Sequence, residues 1–111
     1  MIEVITLNFL TEHLSVPVYT EHQEEMPERF VIFEKTSGRK KNHLNKGTLA
    51  IQSYGQSLEE AAFLNEEVKQ AVEKMVELPS ISRVELNSDY NFTDTETKRY
   101  RYQAVVDFIY F

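Results

Sequence analysis

The sequence predicts an α+β domain, a mainly antiparallel sheet of four to five strands with two helices packed on one face, in the order α-β-β-β-α-β-β. Three stretches carry that prediction. Between residues 57 and 78, Ala61, Leu64, Val68, Ala71, Met75 and Leu78 recur at alternating spacings of three and four, which puts them on one face of a helix. In residues 100–111, Tyr100, Tyr102, Ala104, Val106, Phe108 and Tyr110 alternate with Arg101, Gln103 and Asp107, the pattern of a strand with one buried side. Residues 29–36 are dense in β-branched and aromatic side chains and apolar on both faces at their centre, which suits a strand well inside a sheet.

Taken in order, Ile2, Ile5, Phe9, Leu10 and Leu14 recur at helical spacings and predict a short amphipathic helix over 2–13, broken by Ser15 and Pro17. Val18 and Tyr19 begin an extended segment, and residues 21–28 form a polar connection that includes Pro27. After the strand at 29–36, the run Ser37 to Gly47 is polar and bounded by glycines, so it reads as an exposed, mobile loop. Residues 48–54 return as the hairpin partner of 29–36, and Gly55 turns the chain into the long helix. Ser57 followed by Glu60 fits a capping box at the helix start, and Pro79 marks its end because it lacks an N–H. Leu58, Ala62, Val72 and Val76 widen the apolar stripe. Two strands, 81–90 and 100–111, close the chain across a polar connection at 91–99.

The 111 residues suit one domain spanning 1–111, and 41% hydrophobic with 27% charged residues is the composition of a folded chain. No apolar run approaches the roughly 20 residues that a bilayer requires. The opening Met1-Ile2-Glu3-Val4 lacks the basic start and apolar stretch of a signal peptide, so the expectation is synthesis in a cytoplasm. Cysteine is absent, which excludes disulfides and thiol chemistry. His13, His22 and His43 sit at no metal-ligand spacing, and His22 with Glu25 is at most a single exposed pair. Gly38, Gly47 and Gly55 fall in no phosphate-binding frame, and Ser53 and Ser57 in no nucleophile elbow. The expectation is a binding protein with no catalytic, cofactor or metal residues.

Charge is segregated along the chain. The net charge is −6, which argues against a protein that coats nucleic acid and against sequence-specific nucleic-acid recognition. Residues 1–28 carry Glu3, Glu12, Glu21, Glu24, Glu25 and Glu28 with no Lys or Arg. Residues 35–46 carry Lys35, Arg39, Lys40, Lys41 and Lys46 with no carboxylate. One reading is an acidic solvated surface plus a basic loop; the other is a pair of complementary surfaces on opposite sides of a subunit. Tyr90, Phe92, Tyr100 and Tyr102 form a candidate aromatic contact patch, with core packing the alternative for Tyr102.

Several short phrases resemble the small tail-terminator (tail-completion, head–tail joining) proteins of long-tailed bacteriophages. They are Pro27-Glu28-Arg29-Phe30-Val31, Glu34-Lys35-Thr36-Ser37-Gly38 and Leu49-Ala50-Ile51-Gln52-Ser53-Tyr54-Gly55. Ser57, Glu60 and Ala61 continue the likeness into the long helix, and Arg101-Tyr102-Gln103 into the last strand. Ser37-Gly38 stands where related sequences often carry a glycine pair, and the segment after it is more basic than the family's pattern. The resemblance implies an α+β subunit of a homo-oligomeric ring, usually a hexamer. Such a ring is assembled in the host cytoplasm and resides in the virion tail, where it caps the tube of tail protein, ends polymerisation and offers a docking face to the head connector. It implies that Arg39, Lys40, Lys41 and Lys46 line the lumen or meet a neighbour's acidic surface, with Glu21, Glu24, Glu25 and Phe92 as the other candidate contacts. A head–tail connector or minor tail subunit is the first alternative. A small cytoplasmic ligand-binding or regulatory domain is the second, for which a concave apolar pocket would be the mark.

Overall fold

The computed structural model describes all 111 residues. Helix α1 (Ile2–His13) leads to a short strand β1 (Val18–Tyr19) and then a long hairpin, β2 (Phe30–Lys41) and β3 (Leu44–Gly55). Helix α2 (Leu58–Lys74) ends in a turn of 3₁₀ helix at Met75–Glu77, and β4 (Ile81–Asn91) and β5 (Tyr100–Tyr110) complete the chain. The five strands lie in the order β1-β2-β3-β5-β4. All neighbours are antiparallel except β1, whose two residues pair in parallel with Val31 and Ile32. The expected α+β order holds, and the molecule extends 44 Å along the strands against 25 Å across.

One sheet face carries the main core. Val31 and Phe33 of β2, Leu49 and Ile51 of β3, and Ala104, Val106, Phe108 and Tyr110 of β5 are buried there. They pack against Leu64, Val68, Ala71, Val72 and Met75 of α2 and Ile2 and Leu10 of α1. Both helices therefore cover the same face, and the predicted stripe of α2 is its buried side. Leu58 and Val76, assigned to that stripe, instead lie 40% and 48% exposed. They sit at its angular margins, beyond the width that the sheet can cover.

Ser57 caps α2 by accepting the Glu60 amide at 3.1 Å. The reciprocal half of the capping box is missing, because the Glu60 carboxylate turns to Arg29 Nε at 3.2 Å. The cap thus also ties α2 to the start of β2. Gly55 is required by close approach: a Cβ there would lie 2.7 Å from the Ala61 amide nitrogen and 3.0 Å from the Glu60 carbonyl carbon. Leu78 leaves the helix in extended geometry, as the following Pro79 demands.

The segment 37–47, expected as a mobile loop, is the end of the β2–β3 hairpin. A bulge lies between Lys35 and Ser37, after which pairing continues through Gly38↔Gly47, Arg39↔Lys46, Lys40↔Asn45 and Lys41↔Leu44. Asn42 and His43 form a two-residue turn with φ of 52° and 66°, the signature of a type I′ hairpin. Polarity was a misleading guide here. Only the tip at 41–44 runs beyond β5, since β3 also pairs with β5 from Asn45 on, so this polar segment is ordered by backbone pairing rather than by an alternating apolar face.

Candidate functional site

The face of the sheet opposite the helices is organised in rows across the strands. Nearest the start of β2, Phe30 stacks on Tyr54 with ring centroids 4.4 Å apart, and Tyr19 meets Phe30 edge-on. Arg101 of β5 continues the row by donating to Tyr54 Oη at 2.8 Å and to the Phe92 carbonyl at 2.7 Å. Its guanidinium lies 4.6 Å from the centre of the Phe92 ring, and Tyr90 meets Phe92 edge-on. The next row is polar: Gln52 donates to Gln103, which donates to Tyr90 Oη. Further along, Thr48 donates to one oxygen of Asp107 and Asn87 to the other. The Thr48 hydroxyl, helped by Asn87 and by the charge of Lys46, holds the Asp107 carboxyl below its ordinary range against a partly opposing burial cost.

The expected four-residue aromatic patch is split by this arrangement. Tyr90 and Phe92 lie on the helix-free face, whereas strand alternation puts Tyr100 and Tyr102 on the helix side. Phe92 is 39% exposed under the Arg101 guanidinium, so it lies at the surface and not in the core.

The acidic segment crosses the same end of that face as a strap. Met26 packs on the Phe30–Ile32–Tyr54 cluster and His22 meets Tyr54 edge-on, while Glu21, Glu24 and Glu25 point outward, exposed. A groove of about 420 Å³ beside the strap is flanked by Glu24 and Glu28 on one wall and Lys98 and Arg99 on the other. A second, of about 460 Å³, lies between Thr20–His22 and the strand residues Ile32, Ala50, Gln52 and Arg101. Both are open, mixed polar surfaces.

The basic residues occupy the opposite end. Cross-strand register puts Arg39, Lys41, Leu44 and Lys46 on the helix-free side of the hairpin and Lys40 on the other. All five are exposed, and none of the four cations has a carboxylate within ion-pair distance. Arg39 and Lys46 stand directly opposite one another, a like-charge pairing that costs stability. The twelve residues of β3 separate this tip from the strap end by about 36 Å. The structure thus brings Arg39, Lys41 and Lys46 together, and Glu21, Glu24 and Glu25 together, at the two ends of one long axis.

A third surface was not anticipated from the sequence. Between α2 and the β4–β5 side, Ala62, Phe63, Asn65 and Tyr102 line a groove of about 260 Å³, with Glu59 and Glu66 on its rim. Phe63 is 60% exposed although it belongs to a well-formed helix. Behind it, Asp89 of β4 accepts from Asn65 Nδ2 at 2.9 Å and from Lys69 Nζ at 2.8 Å, and Lys69 also meets Glu66 at 2.7 Å. The Lys69 ammonium, with Asn65 adding a second bond, holds the Asp89 carboxyl low against its burial cost. Reciprocally, Asp89 and then Glu66 raise the Lys69 amine. Asn65 is 1% exposed and its Oδ1 has no donor. The signal in the sequence was Phe63 itself, a large apolar side chain flanked at helical spacing by Glu59, Glu60, Glu66 and Glu67.

The molecule is an α+β protein that offers charged and aromatic surfaces, and no group of His, Asp and Glu converges as a metal site. No helix is long and apolar enough to cross a membrane. No protein-family model matches the chain, and no curated protein matches it either.

Proposed function

We propose that this chain is a structural subunit that associates head to tail into a closed ring and caps a protein tube, in the manner of the tail-terminator proteins its sequence resembles. The observation that carries the reading is the cationic hairpin, which lies at one end of a 44 Å molecule with none of its four cations in an ion pair, while acidic surfaces lie toward the other end. A surface that complements a different surface of the same chain makes a heterologous contact, and a heterologous contact closes into a ring when its rotation allows. The open, polar character of the grooves favours a protein-contact role over a small-molecule site, which would be concave and mostly apolar.

On this reading the work is binding without turnover. Subunits meet the last ring of a tail tube, stop its growth and leave an outer face for a head connector. The test is native mass measured across a concentration and salt series. A discrete closed oligomer, or a monomer–oligomer equilibrium that loosens between low salt and about 1 M, where charge interactions are screened beyond roughly 3 Å, is the expected result. A monomer at every concentration and salt overturns it.

A further inference from the structure

Two acidic surfaces compete as the hairpin's receptor, and their chemistry separates them. The strap groove presents Glu24 and Glu28 but also Lys98 and Arg99, which repel an incoming cationic arm. The α2 groove is lined by Glu59 and Glu66 and by no cation, with Lys69 behind it shared between Glu66 and Asp89. It also holds the 60% exposed Phe63 and a buried acceptor, Asn65 Oδ1, that no donor within the chain satisfies. The hairpin tip supplies the matching set. Leu44 is 38% exposed on the same side as Arg39, Lys41 and Lys46.

We infer that the hairpin of one copy docks in the α2 groove of the next, with Leu44 against Phe63 and Tyr102, and with Lys41 and Lys46 beside Glu59 and Glu66. This rests on the ring reading above and names its interface. The contact buries an apolar side chain at its centre and keeps charge at its rim, the usual layout of a protein–protein contact. It cannot form within one chain. Tyr102 pairs with Ser53, and Leu44 lies nine positions along β3 from Ser53, about 30 Å of strand.

The absence of native cysteine makes the test direct. In the full chain, Leu44→Cys with Phe63→Cys, oxidised and run without reductant, gives a ladder of covalent multimers up to the ring number. Either single variant stops at the dimer. A second pair, Lys46→Cys with Glu66→Cys, retains the Leu44–Phe63 contact and gives the same ladder if the first pair weakens assembly. Both pairs remaining uncrosslinked, while the wild type forms its oligomer, overturns this interface and leaves the ring reading standing. A wild type that never associates overturns both.

Discussion

Replacing Asp89 with Ala removes the one acceptor that joins the middle of α2 to the edge strand β4. Two donors converge on it, Lys69 Nζ at 2.8 Å and Asn65 Nδ2 at 2.9 Å. Hydrogen bonds to a charged group contribute about 1.5–3 kcal/mol each when well buried. Lys69 and Asp89 side chains are 19% and 28% exposed, and Lys69 keeps Glu66, so solvent and the surviving partner reduce the ionic share. Asn65, 1% exposed, would then have neither its amide donor nor its carbonyl satisfied. The expected loss is about 2 kcal/mol, or about 8 °C in Tm for a domain of this size. Urea unfolding at neutral pH, combined with Lys69→Met in a double-mutant cycle, should give a coupling of about 1 kcal/mol. The pH dependence is signed on both sides. Asp89 is held below the ordinary carboxyl value of 3.8, so its contribution is complete above 3.8 and fades as pH falls through its folded value. Lys69 is held above 10.5, so its contribution is complete below 10.5 and fades as pH rises further. The gap between wild type and variant should be flat across the neutral range, close below about pH 4 and narrow again above about pH 10.5. A loss under about 0.5 kcal/mol, with no coupling to Lys69, would show the cluster to be ordinary solvated surface.

Two further perturbations test the local geometry. Gly55→Ala pushes a Cβ to 2.7 Å from the Ala61 amide, so α2's first turn must lift, and stability should fall by about 1–3 kcal/mol; unchanged urea unfolding would refute the close approach. His43→Gly relieves a side chain held at φ 66° in the hairpin turn and should raise stability by about 0.5–1 kcal/mol; a lower Tm or faster hairpin amide exchange would refute the turn assignment.

What the sequence revealed depended on whether a residue had a core to face. The buried side of α2 and the alternation of β5 were legible because each meets a partner along its whole length, and period then reports burial directly. The Ser57 cap was legible because it is local; the destination of the Glu60 carboxylate was not, since Arg29 is distant in the chain. The hairpin was misread for a related reason. Residues 37–47 bury no side chain, only the glycine at 47, so nothing in their polarity distinguishes a paired arm from a loop, and Asn42-His43 is a weaker turn signal than Asn-Gly. The Asn65–Lys69–Asp89 cluster joins α2 to β4, and only the register of β4 with β5 places Asp89 beneath the helix.

The hairpin is the place where local chemistry and fold disagree. Elsewhere the elements support one another: the stripe of α2 matches the sheet, Ser57 caps its start, and Asp89 gathers its donors. At the arm, Arg39 opposes Lys46 across the strands, neither makes an ion pair, and Leu44 is 38% exposed. A directly opposed like-charged pair costs a few tenths to about 1 kcal/mol, which the more distant Asp107 offsets only in part for Lys46 and not for Arg39. Such a cost in an otherwise consistent sequence marks a segment shaped by something outside the subunit. On the proposed ring, docking supplies ion-pairing carboxylates and covers the exposed part of Leu44 together. The arm that weakens the free subunit is then the part that gains most on assembly, which ties the stability of the hairpin to the oligomer rather than to the monomer.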